Sequence, residues 1–246
     1  MDDAPAGDLG GAAGGQGGND LAALRGYAGD VAGALSAIEA LFTELVRVLG
    51  PDDPRTLTSR GNLAFWRRES GDAAGAFTTY ADLLTGRLRV LGPDHPDVFN
   101  TRGNLAGMRG EAGDLAGAVA ATEELLADQQ RVLGHDHPDT LLTRNNLAGR
   151  QGQAGDPAAA AAAYEELPAD QVRVLGPDHP KTLATRDILA SRVGAAGDAA
   201  GAAAMFDQLL ADRLRVLVPA HPTTRGTLTS LAYWLDQADA LGSAGR

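Results

Sequence analysis

Between residues 73 and 91 the apolar side chains fall at Ala73, Ala76, Phe77, Tyr80, Leu83, Leu84, Leu88 and Leu91. This is the i, i+3, i+4, i+7 spacing of a helix with one buried stripe. Asp72 stands just ahead of the stripe, where its carboxylate can accept from the helix's unpaired N–H groups, and Gly71 can take the positive φ that ends a preceding helix. That preceding helix is predicted to open at Asp53-Pro54, because a proline in the first turn sacrifices no hydrogen bond, and to run to about Glu69. We call the first helix of such a pair A and the second B. No stretch alternates with period two, so the chain is predicted to be all-α.

The same pattern recurs with a step of 42 residues: VLGPDDP at 48–54 returns as VLGPDHP at 90–96, VLGHDHP at 132–138, VLGPDHP at 174–180 and VLVPAHP at 216–222. Leu-Ala pairs at 21–22, 63–64, 105–106, 147–148, 189–190 and 231–232 keep that register, as do Gly-Asp pairs at 29–30, 71–72, 113–114, 155–156 and 197–198. A helix pair with one apolar stripe per helix cannot bury it alone, and stacking successive pairs supplies a continuous core. The expected architecture is therefore an α-solenoid.

The pattern LA(x)7GDxxxA, with the small residue at Ala34, Ala76, Ala118, Ala160 and Ala202, resembles the tetratricopeptide repeat. The 42-residue length, the LGPDHP linker and Asn145-Asn146-Leu147-Ala148 resemble the long variant of kinesin light chains and of many bacterial repeat proteins. The resemblance implies a right-handed solenoid of about five helix pairs over 19–242, acting as a protein-interaction module. Two features depart from it. Arg67, Arg109 and Gln151 stand where the family has large apolar residues, so the core should be thin. Pro168 lies inside a helix B, which it should kink or break at a cost of about 3 kcal/mol unless a neighbour compensates.

Residues 1–18 are mostly Gly, Ala, Asp and Gln, and are expected to form a flexible tail, with a second short tail at 243–246. The last helix A reaches Asp239-Ala240-Leu241-Gly242, where another Gly-Asp turn is due, and has no helix B. Tyr233, Trp234 and Leu235 are expected either to cap the array or to dock on another chain, including a second copy.

Charge narrows the choice of partners. With 32 acidic and 21 basic residues, a net charge of −11 and a single lysine, Lys181, the chain is not expected to bind nucleic acid. The absence of cysteine excludes disulfides, thiolate metal sites and cysteine nucleophiles. No apolar run reaches the roughly 20 residues of a membrane span, and the acidic start MDDAPAGDLG does not read as a presequence, so a cytoplasmic protein is expected. The excess of Ala, Gly and Arg over Lys suits a GC-rich bacterial genome.

Four ladders could carry function. His95, His137, His179 and His221 recur one per repeat, too far apart to share a metal, and read as linker residues. Arg60, Arg102, Arg144 and Arg186 stand on the Leu-Ala side of helix A, either paired with helix B carboxylates such as Asp82, Glu124 or Glu166, or open to an acidic ligand. Asn62, Asn104 and Asn146, with Phe65 and Asn145 beside them, occupy the positions that in the resembling proteins line a concave groove and hold an extended peptide by its backbone. An amide suits that task because it both donates and accepts. Gly103, Gly107, Gly110, Gly149 and Gly152 each cost about 1 kcal/mol inside a helix, and either deepen that groove or sit under no packing demand.

No G-x-S-x-G elbow, phosphate loop or H-E-x-x-H is present, and Glu69 and Glu111 are the only acid–base pair the groove suggests. The expected function is binding without chemistry or cofactor: a scaffold for a peptide or partner segment, through Asn62, Phe65, Arg102, Asn104, Arg144, Asn145 and Asn146. The alternatives are a sensor segment of a larger regulator and, less favoured, a small-molecule enzyme or cyclisation chaperone built on the solenoid.

Overall fold

The computed structural model describes residues 10–244, and among them eleven helices and no strand. Helices A are α1 (Gly10–Tyr27), α3 (Pro54–Glu69), α5 (Pro96–Glu111), α7 (Pro138–Gln153), α9 (Pro180–Ala195) and α11 (Pro222–Ala244). Helices B are α2 (Val31–Leu49), α4 (Ala73–Leu91), α6 (Leu115–Leu133), α8 (Pro157–Leu175) and α10 (Ala199–Val216). They gather into two compact units, one through Asp114 and one from Leu115.

The turns are built as the local chemistry dictates. Gly29, Gly71, Gly113, Gly155 and Gly197 all take φ between 88° and 105°, a region closed to most side chains. The aspartate after four of them accepts from a backbone N–H three residues on: Asp30 from Gly33, Asp72 from Gly75, Asp156 from Ala159 and Asp198 from Gly201, at 2.7–2.9 Å. Each helix A after α1 opens with proline at its first position. The linker histidines prove to be caps. His95, His137 and His179 present Nδ1 to the N–H of Asp97, Asp139 and Lys181 at 3.1–3.2 Å, as Asp53 Oδ1 does to Arg55 N at 2.9 Å.

Alanine sets the helix spacing in both units. In the first unit Ala22, Ala34, Ala64 and Ala76 are fully buried, and Ala106 nearly so. In the second, Ala118, Ala148, Ala160, Ala190 and Ala202 are fully buried. Ala232, at the same register on α11, is exposed because no further helix B covers it among the described residues. The core is thin in side-chain volume at these columns, and larger residues fill the spaces between them. In the first unit Ile38, Leu63 and Trp66 form one cluster, and Leu57, Tyr80, Leu83 and Met108 another. In the second, Leu183, Phe206, Leu209 and Leu231 cluster, with Trp234 packed against them.

Three expectations are corrected. The proposed tail is helical from Gly10 onward, and a Cβ on Gly18 would stand 2.9 Å from Leu41 of α2; residues 1–9 lie outside those described. At the other end α11 continues to Ala244, through the start of the expected 243–246 tail. Pro168 does not break its helix: α8 runs unbroken from Pro157 to Leu175.

Candidate functional site

In the first unit α3 lies between two clefts. Asn62 and Phe65 face one of them, a cleft of about 330 Å3 completed by Tyr27 of α1, Tyr80 and Arg87 of α4, and Asn104 of α5. Asn62 Nδ2 donates to Asn19 Oδ1 at 2.9 Å, which fixes the amide plane. Phe65 stacks edge-on against Trp66 with ring centroids 4.9 Å apart, so the aromatic wall is held rather than mobile. Arg87 donates to the Asp97 carbonyl at 3.0 Å and to Thr101 Oγ1 at 2.8 Å, tying α4 to the first two turns of α5. Burial pushes the Tyr80 hydroxyl above the ordinary phenol range, so it stays protonated and able to donate. Asn104 is exposed at the edge of this cleft. Two amides, an aromatic wall and a neutral phenol can hold a peptide unit by complementary donors and acceptors.

The second unit carries Arg144, Asn145 and Asn146 on α7. Asn145 is committed internally: its Oδ1 accepts from Thr185 Oγ1 at 3.3 Å and its carbonyl from the Tyr164 hydroxyl at 3.4 Å. Asn146 is exposed. Arg144 donates to Asp170 Oδ2 at 2.6 Å and approaches Glu166 at 3.8 Å. Arg186 repeats this with Asp212 at 2.7 Å. The favoured partner is thus an aspartate one turn beyond the glutamate anticipated from sequence. Its carboxyl is held below the ordinary range, chiefly by the Arg144 hydrogen bond, with a further bond from Arg173 and against the opposing effect of burial. Arg102, half-buried on α5, is likewise engaged.

The other cleft beside α3, of about 510 Å3, lies on the helix B side, with Phe42 and Thr43 of α2, Arg60 and Arg67 of α3, and Thr79 and Asp82 of α4 around it. Arg67 is neutralised by Glu39 at 3.1 Å and held by Thr79 at 2.9 Å. Arg60 donates only weakly, to the Asp82 carbonyl at 3.3 Å, and its guanidinium sits 5.2 Å from the centroid of the Phe42 ring.

Sequence reasoning missed a second arginine ladder, at the ends of helices B. Arg89 pairs with Asp52. Arg173 bonds both oxygens of Asp136 at 2.6 Å, and Arg215 meets Asp178 at 2.5 Å. Each joins a helix B to the linker preceding its own repeat. The signal was present as an invariant Arg in the RVL or RLRV that opens every linker. The helix A glycines also find partners: a Cβ on Gly152 would stand 3.0 Å from Arg192, whereas one on Gly149 would make an ordinary contact with the Tyr164 hydroxyl at 3.5 Å. Glu111 is bonded by Arg68 at 2.6 Å. Among the described residues no three acidic or histidine side chains come together as a metal site, and no helix is long and apolar enough to cross a membrane.

The tetratricopeptide repeat profile matches four times in succession, at 56–97, 98–139, 140–181 and 182–223. Among solved structures, the nearly identical TPR-like repeats of a protein assigned as a kinesin light chain in Podosopora anserina are similar, with a TM-score of 0.69 and 24% identity over 81% of this chain and 94% of theirs. BtubC (BKLC) from P. vanneervenii is similar at a TM-score of 0.66 and 19% identity, over 85% of this chain and 90% of its own. A tetratricopeptide repeat protein from Parabacteroides merdae reaches 0.56 with 15% identity, over 93% and 76%. These likenesses show the fold, a solenoid of helix pairs. None of the curated proteins matches the chain in sequence.

Proposed function

Because the chain belongs to the tetratricopeptide repeat family, whose fold serves protein–protein interaction, we propose that it is a scaffold that holds a partner segment on its helix A faces without chemistry or cofactor. The cleft bounded by α1, α3, α4 and α5 carries this reading. It combines the amides of Asn62 and Asn104 with the aromatic wall of Phe65 and Tyr27 and the neutral Tyr80 hydroxyl. An extended peptide has one donor and one acceptor per residue, and such amides satisfy both while the rings cover an apolar side chain. Asn146 gives the second unit an exposed amide at the same register, so we extend the proposal to it, whereas Arg144 and Asn145 contribute by holding α7 in place.

Display of a random peptide library against the immobilised chain tests the proposal. Selected peptides should shift backbone amide resonances of α3 and α5. Replacing Asn62 and Asn104 together by alanine should weaken them more than tenfold, if each amide contact contributes about 1 kcal/mol or more. Peptides that bind the double variant like the parent would remove this cleft from consideration.

A further inference from the structure

The helix B sequences, set in register, place an acid at one column in α2, α6, α8 and α10, namely Glu44, Asp128, Asp170 and Asp212, and glycine in α4, namely Gly86. In the second unit that column serves the helix A arginine: Arg144 takes Asp170 at 2.6 Å and Arg186 takes Asp212 at 2.7 Å. The corresponding arginine of α3 is Arg60, which faces Gly86. A Cβ on Gly86 would stand 3.6 Å from Arg60 Nη1, so an aspartate side chain there would begin where its partners' do. Without it, Arg60 makes no ion pair among the described residues. Asp82 offers it the backbone carbonyl rather than the carboxylate. Of the two acids around the cleft, Glu39 is paired with Arg67, and Asp82 is exposed.

A guanidinium is always charged near neutral pH and its fork matches a carboxylate in two parallel hydrogen bonds. Arg60 lies half-buried in a cleft of about 510 Å3, against the face of Phe42. That ring shields it from water on one side, which strengthens any pairing on the other. We infer that the cleft between α2, α3 and α4 is a carboxylate site, in which Arg60 takes an acidic side chain of a bound protein where later repeats supply an aspartate of their own. Asn62, two residues further along α3, faces the other cleft, so this site is separate from the one proposed above.

The test follows the Arg60 Nε–Hε resonance of the full chain, identified by its loss in Arg60→Gln, during titration with acetylated hexaglutamate amide, hexaglutamine amide and N-acetylglutamate. Hexaglutamate should shift it saturably and hexaglutamine should not. The chain's net charge of −11 opposes non-specific capture of a polyanion. Affinity, read by isothermal titration calorimetry, should fall at least tenfold in Arg60→Gln, and also in Gly86→Asp, which supplies the carboxylate internally. N-acetylglutamate shifting the same resonance at comparable concentration would keep the carboxylate site and assign it to small acids. Gly86→Asp must displace a Leu57 methyl 2.9 Å from the new Cβ; if that variant does not fold, Arg60→Gln alone decides. Equal binding of hexaglutamate to parent and Arg60→Gln, or no shift of the Arg60 resonance, overturns the inference.

Discussion

The indole of Trp66 occupies the space that a side chain on Gly26 would need: a Cβ built there would lie 1.8 Å from the ring. Gly194 and Trp234 repeat the relationship at 2.6 Å, and Gly152 with Arg192 at 3.0 Å. The three glycines share one register on helix A, and the large side chains share another on the following helix A. Their cost as helix residues is offset by the close approach they allow.

Glycine-to-alanine changes should therefore divide by position. Gly26→Ala should destabilise the first unit by about 1–3 kcal/mol, because Trp66 is buried and cannot yield without moving its cluster. Gly149→Ala meets only an ordinary contact and should stabilise by about 0.5–1 kcal/mol through helix propensity. Thermal unfolding of both variants checks this, and a stabilised Gly26→Ala would contradict the packing.

The linker histidines make a second case. His137→Ala should free the first turn of α7 and cost about 1 kcal/mol, as loss of a cap does. His137→Asp should restore it, since Asp53 already caps α3 through a carboxylate. Amide exchange at Asp139 and Thr140 reads the result locally, and equal exchange in the two variants would deny the cap.

The parts legible in the sequence were those fixed by local chemistry. Gly71 with Asp72, and proline after Asp53, mark helix ends through residues two or three apart, so the helix boundaries emerged almost to the residue. The histidine caps were less visible because imidazole is an unusual N-cap, and only the aspartate at position 53 hints that one acceptor replaces the other. The uses of Gly152 and of the Arg173 and Arg215 ladder depend on side chains from the next repeat or from the linker before the same repeat. Helical periodicity within one segment contains no such information. Of the candidate site, the amides of Asn62 and Asn104 could be placed on one face by spacing, but the commitment of Asn145 to Thr185 could not.

Acid should loosen the ladder between linkers and helices B. The Arg173 hydrogen bonds hold the Asp136 carboxyl below its ordinary range, and Arg144 does the same for Asp170. A carboxylate with a lowered folded-state pKa contributes stability above its unfolded value of about 3.9, and that contribution is lost as pH falls through the folded value. The melting-temperature difference between the parent and Asp136→Asn with Asp170→Asn should thus be present above about pH 5 and fade below that unfolded value. Because Asp136 and Arg173 are both more than half exposed, added salt should also shrink it. A difference independent of pH and salt would mean that the aspartates act through packing alone.

Pro168 provides the sharpest contrast between local cost and global tolerance. Its column holds Phe42, Leu84, Leu126 and Leu210 in the other helices B, so a large apolar residue is the rule there. Proline has no N–H to give the carbonyl of Tyr164, yet α8 remains helical on both sides, with Tyr164 and Leu167 buried. The tertiary packing of those residues thus carries a defect that would otherwise cost about 3 kcal/mol. Pro168→Leu restores the missing bond and the side chain of the column, and should stabilise the second unit by about 1–3 kcal/mol. Hydrogen exchange across 164–172 should slow correspondingly, because that segment no longer opens around an unpaired carbonyl. An unchanged exchange rate, with an unchanged melting temperature, would show that α8 already satisfies the Tyr164 carbonyl by another route.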